Sequence, residues 1–215
     1  MSSSPPQPLP PGRSGIPREE VEASQRGRLL DAMEQLCFES GYSAVRIADL
    51  AARSRTAKRT FYAHFADRED CFLAAYDRID ADVFAALARG AAKASDPLGR
   101  IELALTEMCR MFAGAPPRAE VYVLSSLAVG ARVTARRAQS LEDLAALYIA
   151  LHEVVGEAFV PRTPLSRLRA LSVVGAVELP LVTTLREEGA AALPAIAPGL
   201  ARTAYSLVYE EASPA

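Results

Sequence analysis

Apolar residues recur at helical spacing along most of the chain, and no stretch alternates with the period of two that a half-buried strand requires. Leu29, Met33, Leu36 and Cys37 form the first inward stripe, on a helix expected to open at Pro17, carry Glu19 and Glu20 in its first turn and stop at Gly41. Ile47, Leu50 and Ala51, then Ala57, Phe61 and Phe65, predict two short helices over about 46–53 and 57–63, joined by about three residues. Asp67, with Asp70 three positions on, caps a fourth helix whose stripe is Phe72, Tyr76, Ile79, Val83 and Leu87. After a break at Ser95, Asp96 and Pro97, helices are expected near 97–113, 117–130, 132–159, 165–188 and 198–211, with a short one at 190–196. The chain reads as all-α.

The 165–188 segment is apolar on two faces. Leu168, Leu171, Gly175, Val182 and Leu185 share one side; Val173, Val174, Val177, Leu181 and Thr184 share another. Two apolar faces need two partners, so the first face, joined by Leu200, Ala204 and Leu207 of the last helix, is the expected homodimer contact. The alternative is a central core helix in a monomer.

Charge singles out the short helix pair. Residues 46–65 hold Arg46, Arg53, Arg55, Lys58 and Arg59, and no acidic residue stands between Asp49 and Asp67. The whole chain carries −2, but residues 1–65 have nine Lys+Arg against seven Asp+Glu, leaving fifteen against nineteen for the rest. A basic excess confined to a small module fits a helix-turn-helix reader of double-stranded DNA on a larger acidic body. With Phe61 inward, steps of about 100° put Ala57 and Phe65 on the core side and Arg59 and Ala63 nearly opposite, flanked by Thr60 and Tyr62. Arg59 is therefore the candidate for a guanine edge, and Thr60 for a neighbouring contact. Lys58 suits a phosphate, and Arg46, Arg53, Arg55 and Thr56 complete the expected DNA surface. Taken singly, any of these charges reads equally well as solvation of a short exposed helix.

The remaining chemistry is sparse. Cys37, Cys71 and Cys109 are far apart and flanked by apolar helical positions, so they read as buried free thiols of a reducing compartment. No uncharged apolar run reaches about 18 residues, so no membrane span is expected. Residues 1–15, with five prolines and no apolar core, read as a disordered arm and not a signal peptide, which points to the cytoplasm. With two histidines, no paired cysteines and no GxSxG, HExxH or phosphate-loop motif, neither a catalytic centre, a metal site nor a cofactor is expected.

Residues 23–75, including LLDAMEQLCFESGY and RIADLAARSRTAKRTFYAHFADREDCF, resemble the DNA-binding domain of tetracycline-repressor-like (TetR family) transcriptional regulators. The Leu-Leu of helix one, the Gly-Tyr at its end, Asp-Leu-Ala, Thr-Phe-Tyr-x-His-Phe and Asp-x-x-Asp occur in the family's order and spacing. The resemblance implies an all-α homodimer: a three-helix DNA-binding domain over 16–66, a connecting helix over 67–89, and a helical ligand-binding and dimerisation domain over 90–215. It also implies Tyr62 and His64 as phosphate anchors. Two positions depart from the pattern. Arg55 stands where the family usually has Gly, at a cost on the order of 1 kcal/mol if its backbone is left-handed, and Arg46 replaces a Thr or Ser cap also worth about 1 kcal/mol.

The implied ligand is small and mostly apolar, and candidate pocket liners are Met108, Met111, Phe112, Tyr122, Ser126, Tyr148, His152 and Glu178. Glu178, inside Val-Glu-Leu-Pro-Leu-Val, must either meet a buried partner, such as an arginine across the dimer, or face a cavity. The expected function is a DNA-binding regulator released from a palindromic operator by that ligand. The competing expectation is a helical dimer that works by protein contact without binding DNA.

Overall fold

Caps decide where the helices begin and end in the computed structural model, which describes residues 17–159 and 164–209. The expected arm over 1–15 lies outside the described residues. Helix α1 (Arg18–Ser40) follows Pro17 and stops at Gly41, whose φ of 74° is open to glycine at little cost. Short helices α2 (Ile47–Arg53) and α3 (Lys58–His64) come next. At the head of α4 (Arg68–Ala91), Asp67 accepts the Asp70 N–H at 2.7 Å, and the Asp70 carboxylate reaches back to the N–H of Ala66 at 2.9 Å. Asp96 caps α5 (Pro97–Gly114) through the Gly99 N–H, with Pro97 in the first helical position. Helices α6 (Pro116–Ala119), α7 (Ala131–Phe159), α8 (Arg167–Glu187) and α9 (Leu193–Tyr209) complete the described chain, which contains no strand.

Most residues of the stripes predicted for α1, α3 and α4 form the core. Leu29, Met33, Leu50, Phe61 and Phe65 close the α1–α3 unit, and Phe72, Tyr76, Ile79, Val83 and Leu87 carry the same buried cluster along α4 into the body. Helix α5 packs against α4 and α9, and α8 lies between α7 and α9. Gly90 sets the α4–α5 approach: a Cβ there would fall 2.2 Å from the Leu103 carbonyl oxygen.

Two helix expectations need correction. The stretch over 117–130 is not one helix: α6 passes into a π turn at Glu120–Leu124 and a 3₁₀ turn at Ser125–Leu127. Ser126 donates to the Tyr122 carbonyl at 2.7 Å and Ser125 to the Glu120 carboxylate at 2.9 Å, local bonds that compete with a regular ladder. The last helix starts at Leu193, after a 3₁₀ turn at Ala190–Ala192, and continues through Pro198.

Helix α8 is long and apolar enough to cross a membrane by length and composition, although its charged residues keep it from being the uncharged apolar run by which a span is judged from sequence. In this fold its Val173, Val174, Val177, Leu181 and Thr184 face is buried in the bundle. The opposite side exposes Leu168 (75%), Gly175 and Leu179 (67%), while Leu171, Val182 and Leu185 are half-buried. On α9, Leu207 is half-buried, but Leu200 and Ala204 are buried within their own protomer, so these two do not face a partner as expected.

Candidate nucleic-acid interface and effector cavity

The turn between α2 and α3 is closed by its own backbone. The Thr56 N–H reaches the Ala51 carbonyl at 2.9 Å and the Arg55 N–H the Ala52 carbonyl at 3.2 Å, the paired bonds of a Schellman cap with Arg55 in its left-handed position. Arg55 has φ 55°, and no other described non-glycine residue has positive φ. Ser54, which the sequence reading missed, is buried; its hydroxyl bonds the Ala51 carbonyl at 3.2 Å and shares a 2.9 Å bond with Thr56 Oγ1. Thr56 is thus engaged in the turn. Arg46 is the exposed N-cap of α2 and makes no side-chain cap bond.

On α3, Phe61 is fully buried while Lys58, Arg59, Tyr62 and Ala63 are exposed, and Thr60 and His64 are half-buried. The Tyr62 ring meets Phe61 edge-on at 5.5 Å yet stays 59% exposed. Ala57 is exposed, against expectation, because as N-cap its backbone is extended (φ −80°, ψ 153°) and the 100° step does not yet apply. Arg53 also departs from expectation: both its terminal nitrogens are held by Glu39 of α1, at 2.7 and 2.6 Å. That pair braces α2 on α1 and holds the Glu39 carboxyl below its usual range.

Ion pairs join this unit to the body. Glu34 of α1, 6% exposed, accepts from Arg78 of α4 at 2.6 Å and lies 3.5 Å from Arg118 of α6, which also meets Asp82 at 2.7 Å. Arg132 of α7 donates to both carboxylate oxygens of Asp67. Arg68 closes the loop after α1 by bonding the Tyr42, Ser43 and Val45 carbonyls, its guanidinium 4.2 Å from the Tyr42 ring centre. None of these links has a signature in local periodicity.

A cavity of about 370 Å³ lies between α4, α5, α7 and α8. Of the expected liners, Met108, Phe112, Tyr122, Tyr148 and Glu178 are there. Met111, Ser126 and His152 are not: Met111 packs on the core, Ser126 is turned to the Tyr122 carbonyl, and the His152 ring lies 5.6 Å from that of Tyr209. Both alternatives for Glu178 hold together. It faces the cavity and pairs with Arg137, an arginine of its own chain. Tyr122 donates to Asp80 of α4 at 2.9 Å and lies 3.1 Å from the Ser140 hydroxyl, so one wall residue is tied to the helix leading back to the basic unit. Burial pushes its phenol well above the usual range, as it does for Tyr148. Arg100 and Arg137, also in the wall, were not anticipated; nothing in their spacing distinguishes them from surface arginines.

The three cysteines are buried and free, their thiols pushed up to about 12 by burial. Among the described residues no group of His, Cys, Asp and Glu could hold a metal ion.

Residues 29–75, which span α2, α3 and their flanks, match the family model described as bacterial regulatory proteins, tetR family. The likeness to the tetR family rests on these residues, under a quarter of the chain. Solved structures extend the likeness to the larger helical part. FadR from Bacillus subtilis, solved in complex with stearoyl-CoA, superposes with a TM-score of 0.74 at 15% identity, covering 86% of this chain and 99% of that one. The fatty acid degradation regulator FadR from Bacillus halodurans gives 0.75 at 16% identity, covering 86% and 95%. A TetR-like transcriptional regulator from Rhodococcus sp. RHA1 gives 0.66 at 18%, covering 91% and 100%. At these identities the likeness is one of fold. Among curated proteins, none matches the sequence.

Proposed function

We propose that the chain is a DNA-binding transcriptional regulator, a homodimer on a roughly palindromic operator, released by a small and mostly apolar ligand. The observation that carries this reading is α3. It rests on buried Phe61 and turns Lys58, Arg59 and Tyr62 outward, in a segment free of acidic side chains from Asp49 to Asp67. Arg59 takes a guanine edge with Thr60 beside it; Lys58, Tyr62 and His64 anchor phosphates, and Arg46 and Arg55 add charge. This outward basic helix also argues against a module that acts by protein contact alone.

The domain division is placed at 16–66, 67–89 and 90–215. Exposed Leu168, Gly175 and Leu179 on α8 offer the face for a second copy. The ligand occupies the α4–α8 cavity, and the stearoyl-CoA complex of Bacillus subtilis FadR supports an apolar ligand in this fold. A ligand that favours one placement of α4 shifts the recognition helices only by its differential affinity. The Tyr122–Asp80 bond ties a wall residue to α4, and separately the Arg118–Glu34 contact ties α6 to α1. With DNA as the partner, the site of action is the cytoplasm.

Selection of bound duplexes from a random pool tests the reading. The expected product is an enriched palindrome whose half-sites lie one helical turn, about 34–36 Å, or a multiple of it apart. A pool that stays random, or a single asymmetric half-site, contradicts it.

A further inference from the structure

Among the described residues, the cavity wall holds one cation with no counter-charge, Arg100. Its wall is almost wholly aliphatic and aromatic. Of the groups that interrupt it, Tyr148 contributes a neutral hydroxyl, the Tyr122 hydroxyl is spent on Asp80, and Glu178 and Arg137 neutralise each other. Arg100 is different. Its guanidinium makes no hydrogen bond or ion pair among the described residues, and its Nε is buried with no acceptor. The residue as a whole is half-buried, and a guanidinium whose buried Nε lacks an acceptor gains from one brought to it.

Position gives that acceptor a shape. Arg100 stands in the first turn of α5, beside the short α4–α5 connection, whereas Phe112 is twelve residues further on, about 18 Å along the axis. The Phe112 and Tyr122 rings are 5.8 Å apart and mark the other end of the cavity. Ser140, one turn beyond Arg137, meets Tyr122 at that same end. The Arg100 end therefore carries an unmatched positive charge, and the lumen running from it is mostly apolar, with its other charges, Arg137 and Glu178, matched to each other.

We propose that the cavity binds an acyl-chain amphiphile, its tail lying along α5 toward Phe112 and Tyr122 and its anionic head held by Arg100. This rests on the ligand-bound reading above and adds the ligand's class and the residue that selects it. Arg137 is excluded as the head-group residue because Glu178 already matches its charge.

Calorimetric titration of the full-length protein with laurate, lauroyl-CoA and dodecanol tests it, since the three share a tail and differ in the head. At least one anionic ligand should bind about tenfold or more tighter than dodecanol. Arg100→Leu should remove that advantage and leave dodecanol within about twofold, and Arg100→Lys should restore most of it. Arg100 dependence for lauroyl-CoA alone would assign the head to the coenzyme phosphates; dependence for laurate would assign it to a carboxylate. Equal affinity for all three, no binding of any, or an anionic preference that survives Arg100→Leu overturns the proposal. Release of operator DNA is read separately. Tight, Arg100-dependent binding that leaves DNA bound contradicts the release mechanism and leaves the head-group assignment standing.

Discussion

Arg55 is where local stability and the proposed DNA contact compete. Its φ of 55° is the left-handed cap position that glycine fills without a Cβ clash. Arg55→Gly should raise stability by about 0.5–1 kcal/mol in thermal unfolding and weaken duplex binding, because it removes strain and a charge together. A variant that is less stable would show that the arginine side chain holds the turn. Arg59 and Lys58 divide along another line. Arg59→Ala should lower discrimination at one base position by about 1–3 kcal/mol, whereas Lys58→Ala should weaken specific and random duplexes alike. Competition binding separates the two, and equal losses for Arg59→Ala on both kinds of duplex would remove its base-reading role.

At the scale of elements, what was legible in the sequence was what local order determines. Leu29, Met33 and Cys37 of α1, Phe61 and Phe65, the α4 stripe and the Asp67/Asp70 cap are written in spacings of three and four residues, and the structure buries or bonds them accordingly, leaving Ala57 exposed and Leu36 half-buried. The π turn at Glu120–Leu124 was not legible, since it depends on how two serine hydroxyls choose between partners. Nor was the Arg53–Glu39 pair, which spans fourteen residues and two helices, or the lack of a partner for Arg100 among the described residues, which depends on what distant elements bring to it. The core elements also set a pH dependence. Cys37, Cys71 and Cys109 keep their protons to about 12 when folded, against about 8.5 in an unfolded chain. Their contribution to stability is whole below about 8.5 and is lost as pH rises toward 12, because the unfolded chain then binds fewer protons. At pH 8 a thiol reagent should modify none of the three until denaturant is added; fast labelling of the native protein would contradict their burial.

For the whole molecule, separation of charge is the feature that connects fold to function. The body is acidic and bears an apolar cavity and an exposed α8 face; Arg46, Arg55, Lys58 and Arg59, none in an ion pair among the described residues, cluster at the start of α2, the α2–α3 turn and α3. Lys58, Arg46 and Arg55, doubled in a dimer, offer six phosphate contacts. Each contact releases counterions and adds to the salt dependence of binding. The most direct measurement is the affinity of the protein for duplex DNA as salt rises from 50 to 200 mM. The account predicts a log–log slope of about −5 and a loss on the order of a thousandfold over that range. Affinity that does not change with salt, or no binding even at the lowest salt, would contradict it.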